Sequence, residues 1–79
     1  MTYKTQGVCS QLIDIEVEEG RILSVKFTGG CHGNLQGISA LVKGMTVEEA
    51  ISRLKGIRCR DKATSCPDQL ARALESIAK

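Results

Sequence analysis

The chain has 79 residues, a net charge of +2 and only two aromatic side chains, Tyr3 and Phe27. That length suits one domain, residues 1–79, with no room for a second. So few aromatics argue against a base-stacking nucleic-acid platform, and the local basic stretch Arg53, Lys55, Arg58, Arg60 and Lys62 reads as a solvated loop rather than a nucleic-acid or phosphate site.

Met1 to Ser10 is polar and lacks the apolar core of a signal peptide. No apolar run approaches the roughly 20 residues of a membrane span. The expected setting is therefore the cytoplasm. There, four cysteines read as metal ligands or redox groups more readily than as disulfides. A core this small supplies only about 3–5 kcal/mol by itself, and such folds often add a metal, a disulfide or a partner.

Tyr3 to Gln6 predicts a short edge strand. Ile13, Ile15 and Val17 alternate with Asp14, Glu16 and Glu18, the period-2 pattern of a half-buried strand. Glu19-Gly20 predicts a turn. Leu23, Val25 and Phe27 then alternate with Ser24, Lys26 and Thr28, completing an antiparallel hairpin. After Gly29-Gly30 the spacing becomes helical. Leu35, Ile38, Leu41 and Val42 predict one apolar side, with Asn34 as cap and Gly44 as stop. Thr46-Val47-Glu48-Glu49 is a capping box, followed by the stripe Val47, Ala50, Ile51 and Leu54 and the terminator Gly56. The last helix is predicted over Pro67 to Ile77. Its buried face is Leu70, Leu74 and Ile77, and Asp68, Arg72, Glu75 and Lys79 are expected to face water. Two or three antiparallel strands followed by three helices make an α+β fold, the helices lying on one face of the sheet.

All four cysteines fall at element ends or in loops. If the hairpin turns at Glu19-Gly20, paired residues sum to about 39, so Cys9 lies opposite Gly30 and beside Cys31. Cys66 precedes Pro67 at the expected cap of the last helix, where the helix terminus favours thiolate. Cys59 lies seven residues earlier in a polar segment. No C-x-x-C pair is present, so neither a zinc ribbon nor a thioredoxin motif is indicated. The positions point to a shared metal site of Cys9, Cys31, Cys59 and Cys66, against the plainer reading of cysteine as a small buried hydrophobe. His32 reads as an ordinary loop residue or as a ligand or proton donor. Gly29, Gly30 and Gly33 serve a turn, or let the backbone approach a cluster. No phosphate loop, serine triad or paired-carboxylate arrangement is present.

Thr64-Ser65-Cys66-Pro67-Asp68 resembles the signature of the TSCPD domain. Gly29-Gly30-Cys31-His32-Gly33-Asn34, Gly44 and Pro67-Asp68-Gln69-Leu70 extend the likeness nearly end to end. A similar module ends many adenosylcobalamin-dependent ribonucleotide reductases. The resemblance thus implies a link to deoxynucleotide synthesis and to a reductase or other redox enzyme as partner. It does not imply that the chain is a complete enzyme by itself. A more distant resemblance, over about Gly7 to Ala78, is to iron–sulfur scaffolds of the IscU/NifU type. It rests on Cys9, Gly30-Cys31, Gly44-Met45-Thr46-Val47-Glu48-Glu49-Ala50 and Cys66 with Leu70-Ala71. It implies three scaffold ligands at Cys9, Cys31 and Cys66. The scaffolds' acidic residue is here Gln11, their histidine is Ser65, and their chaperone loop is replaced by Cys59-Arg60-Asp61-Lys62. A fourth thiol implies more permanent binding than transfer requires.

The function expected from these readings is a four-cysteine module for zinc or an iron–sulfur cluster. The alternatives are a redox accessory in which Cys59 and Cys66 shuttle a disulfide, and a nucleotide-binding ribonucleotide reductase component. Neither the metal nor the oligomeric state follows from the sequence.

Overall fold

The structure, a computed structural model, describes the chain apart from Gln6, Cys9, Cys31, residues 59–63 and Lys79, and apart from the side chains of His32 and Ala78. Three strands, β1 (Thr2–Lys4), β2 (Ser10–Glu18) and β3 (Arg21–Gly29), precede three helices, α1 (His32–Val42), α2 (Val47–Leu54) and α3 (Cys66–Ala78). The sheet is antiparallel with order β1-β2-β3, so the expected α+β layout holds. Met1 fastens the edge: its N-terminal ammonium group donates to the Ile15 carbonyl at 2.8 Å, and its carbonyl accepts the Ile15 amide at 2.7 Å.

The hairpin turns where expected. Glu19 and Gly20 both have positive φ, 52° and 76°, as the tight two-residue turn matching strand twist demands. The register is less regular than simple alternation predicts. Paired numbers sum to 39 at Glu18↔Arg21 and Val17↔Ile22, to 40 from Glu16↔Ser24 through Leu12↔Thr28, and to 39 again at Ser10↔Gly29. Leu23 is therefore an extra residue on β3, and Gln11 an extra residue on β2. Each such bulge reverses which face the following side chains occupy. This overturns the expected inward set on β3: Leu23 is 44% exposed, while Ile22 is buried with Val25.

Ile13, Ile15, Ile22 and Val25 form the buried face of the sheet. They share one core with Val42 of α1, Val47 and Ala50 of α2, and Leu70, Ala73 and Leu74 of α3. In α1, Leu35 and Val42 are buried, but Leu41 is 73% exposed, contrary to the predicted stripe. At roughly 100° per residue, Val42 returns to within about 20° of Leu35, whereas Leu41 falls about 120° away. Asn34 does not cap this helix but lies within it, because α1 begins at His32, which is accordingly a helical rather than a loop residue. The change of direction before it uses Gly29 and Gly30, with φ of 82° and 78°, a region that side-chain-bearing residues enter at a cost.

The Thr46 cap is present as predicted: its hydroxyl oxygen accepts the Glu49 amide at 3.2 Å. The Glu49 carboxylate pairs forward with Arg53 at 3.1 Å. No helix among the described residues is long and apolar enough to cross a membrane.

Candidate functional site

The segment Thr64-Ser65-Cys66-Pro67-Asp68 opens α3, and each polar residue in it has a defined task. Ser65 is the helix cap. Its hydroxyl oxygen accepts the Asp68 amide at 3.1 Å, its carbonyl accepts the Gln69 amide at 2.8 Å, and its hydroxyl donates to the Ile57 carbonyl at 2.6 Å. Cys66 is thus the first helical residue rather than the cap, and Pro67 is the second. Proline still fits, because amides of the first turn have no partner within the helix.

Asp68 does not face water. Its side chain is only 2% exposed. One carboxylate oxygen accepts the Gly56 amide at 2.7 Å. The other accepts the Thr64 hydroxyl at 2.5 Å and pairs with Arg72 Nε at 2.9 Å. The Gln69 side-chain amide donates to the Thr64 hydroxyl oxygen at 2.9 Å. Burial by itself raises the Asp68 pKa. The bonds from Thr64 and Gly56 and the Arg72 charge outweigh it, holding the carboxyl below its ordinary value. Together Asp68 and Ser65 tie Gly56 and Ile57 to the start of α3. The sequence offered one sign of this: Ser65-x-x-Asp68 has capping-box spacing, like the Thr46-x-x-Glu49 pattern.

Cys66 is the thiol of this segment. It is 7% exposed, and its Sγ lies 3.1 Å from the Ser10 hydroxyl at the start of β2. Ser10 is 2% exposed and pairs across the hairpin with Gly29. Gly7 also approaches this corner: a Cβ placed on it would lie 3.5 Å from the Thr64 methyl group. The open end of the hairpin and the start of α3 are therefore in contact. Cys9, Cys31 and Cys59 lie outside the described residues, so the expected convergence of four thiols is not described. Ser10 and Gly30, their chain neighbours at the hairpin end, are described. Among the described residues no group of three or more potential metal ligands gathers.

A thiolate is the ligand type that zinc and iron–sulfur clusters favour, and Cys66 is the one cysteine among the described residues. Asp68 is engaged with the Gly56 amide, the Thr64 hydroxyl and Arg72.

A family model for the TSCPD domain matches residues 1–78. The chain belongs to the TSCPD domain family. The five residues that spell the family's label are those just described, and four have structural tasks visible here: Thr64 and Asp68 bind each other, Ser65 caps, and Pro67 occupies the first turn. No curated protein and no solved structure matches the chain.

Proposed function

We propose that this TSCPD chain is a metal-binding module in which Cys9, Cys31, Cys59 and Cys66 hold zinc or an iron–sulfur cluster. The contact between Cys66 and Ser10 carries the reading. Ser10 adjoins Cys9 in sequence, and its cross-strand partner Gly29 stands two residues before Cys31. One end of the hairpin is thereby brought to the thiol that opens α3. Cys59 belongs to the segment between Ile57 and Ser65, which are joined by a 2.6 Å hydrogen bond. When bound, the metal would cross-link the hairpin end to α3 and stabilise a small core.

Family membership supports a supporting role for a ribonucleotide reductase or another redox enzyme in the cytoplasm, with the chain itself contributing binding rather than catalysis. The likeness to scaffold cysteines Cys9, Cys31 and Cys66 favours a cluster. The fourth thiol, Cys59, favours retention over transfer.

Metal analysis of the full chain purified without oxygen tests the central claim. One zinc per chain, or iron with matching acid-labile sulfide, is the expected result. A folded, fully reduced chain without stoichiometric metal overturns it and favours disulfide exchange by Cys59 and Cys66 instead.

A further inference from the structure

We propose that the outer edge of β3 is a docking strand for an extended peptide of a partner protein, a peptide that sets one acidic residue between two apolar ones. This surface is independent of the metal site proposed above and supplies a contact of the kind that a supporting role needs.

The ladder of the sheet fixes which backbone groups are open. Met1 takes both the amide and the carbonyl of Ile15, so both groups point toward the β1 side. On its other side Ile15 pairs with Val25. Ladder bonds alternate along an antiparallel pair, and Val25 therefore turns its own amide and carbonyl away from β2. The register is unbroken from Glu16↔Ser24 to Leu12↔Thr28, so Phe27, two residues on, does the same. β3 is the last strand of the sheet. Its edge is covered at Ile22, whose amide donates to the Met45 carbonyl at 2.9 Å and whose carbonyl accepts the Gly44 amide at 2.8 Å. Among the described residues no hydrogen bond reaches Val25 or Phe27 from outside the sheet. Two amides and two carbonyls thus stand along an open edge, the template that strand addition uses.

The edge lies beside α1. Val25 and Phe27 on one side and Leu35, Gln36 and Ser39 on the other bound a groove of about 320 Å³. The Ser39 hydroxyl is spent on the Leu35 carbonyl at 2.9 Å, which leaves recognition to the strand backbone. Directly paired side chains share a face of a sheet, so residues laid opposite Val25 and Phe27 would enter this groove. Val25 is buried and Phe27 half-buried there, which calls for apolar side chains at both places. The residue between them falls on the opposite face, beside Lys26. Lys26 is the one charged residue among those lining the groove, and it makes no ion pair among the described residues. Its ladder partner Asp14 is engaged by the Thr2 hydroxyl at 2.5 Å. An acidic residue opposite Lys26 completes a favourable cross-strand pair. A second copy of this chain fits less well. Matching Val25 with Phe27 of the copy sets Lys26 against its own counterpart, and like charges directly opposite repel.

Amide NMR of the isotope-labelled full chain tests the edge. In the free chain the Val25 and Phe27 amides should exchange with solvent faster than that of Lys26, which is bonded within the ladder. The probe is the end-blocked peptide Ser-Thr-Val-Glu-Val-Thr-Ser. It is compared with a peptide carrying lysine in place of glutamate and with one N-methylated at both valines. The glutamate peptide should bind saturably, shift the Val25 and Phe27 signals and slow their exchange. The lysine peptide should bind about threefold or more weakly, and Lys26→Glu should invert that preference. The N-methylated peptide lacks the donors and should not bind. Equal binding of the N-methylated peptide, shifts confined to residues away from β3 and α1, or no saturable binding of the glutamate peptide would overturn strand addition. Slow exchange of Val25 and Phe27 in the free chain, as a second copy seated on the edge would give, would overturn it too. A preference unchanged in Lys26→Glu would overturn the acidic requirement. None of these outcomes bears on whether the chain binds metal.

Discussion

At the scale of single residues, Asp68 carries the most structural responsibility for its size. Three donors from three parts of the chain, the Gly56 amide, the Thr64 hydroxyl and Arg72, meet on one buried carboxylate. Replacing Asp68 by Asn puts an amide donor among these donors. The expected loss is about 1–3 kcal/mol, measurable by urea unfolding. The pH dependence has a definite sign. The folded pKa lies below the ordinary value, so as pH falls the unfolded chain takes up the proton first. The carboxylate's contribution is complete above about pH 4 and declines as pH falls toward the lowered folded value. The stability gap between wild type and Asp68→Asn should accordingly narrow in unfolding curves recorded below about pH 4. A gap constant from neutral pH to strong acid would contradict the depressed pKa.

At the scale of elements, the two bulges decide which side chains count. Ile22 is 1% exposed and Leu23 is 44% exposed, although the two are chemically similar neighbours. Ile22→Ala should cost about 2–5 kcal/mol through lost burial and the cavity left behind. Leu23→Ala should stay within about 0.5 kcal/mol, as surface changes usually do. Equal costs for the two would refute the register. A smaller effect belongs to α2. Its first turn rests on the Thr46 cap, and Thr46→Ala should lower stability by about 1 kcal/mol in chemical denaturation. Leu41 is exposed on α1, so Leu41→Lys should leave the melting temperature nearly unchanged.

At the scale of the whole molecule, the contact between the hairpin end and α3 sets what a metal would do. Apparent binding energies for structural zinc in small peptides are about 10–16 kcal/mol at neutral pH, more than a core of this size supplies. Under the proposed function, Cys66→Ser should lower the melting temperature sharply and reduce bound metal, and a chelator should do the same to wild type. A thiol-exchange role makes the opposite forecast. The variant would then melt close to wild type, and identical melts of both proteins with and without chelator would reject structural metal binding.

Local patterns in the chain were enough for the strand–strand–helix order, the Glu19-Gly20 turn, the Thr46 cap and the apolar faces of α2 and α3. Each depends on residues close in sequence, through period, turn chemistry or capping. The same logic read the polarity of Asp68 as exposure and the alternation of Leu23, Val25 and Phe27 as one face, and both readings failed for a common reason. Exposure of a polar residue depends on whether distant donors reach it, and for Asp68 the Gly56 amide arrives from twelve residues away. Strand parity depends on a single inserted residue, which leaves little trace in composition. The surroundings of Cys66 divide along the same line. Cys66 was legible as a thiol at a helix start, whereas the expected neighbours Cys9 and Cys31 lie outside the described residues. Only the tertiary structure put Ser10 against Cys66, because that meeting requires the Gln11 bulge and the packing of α3 together.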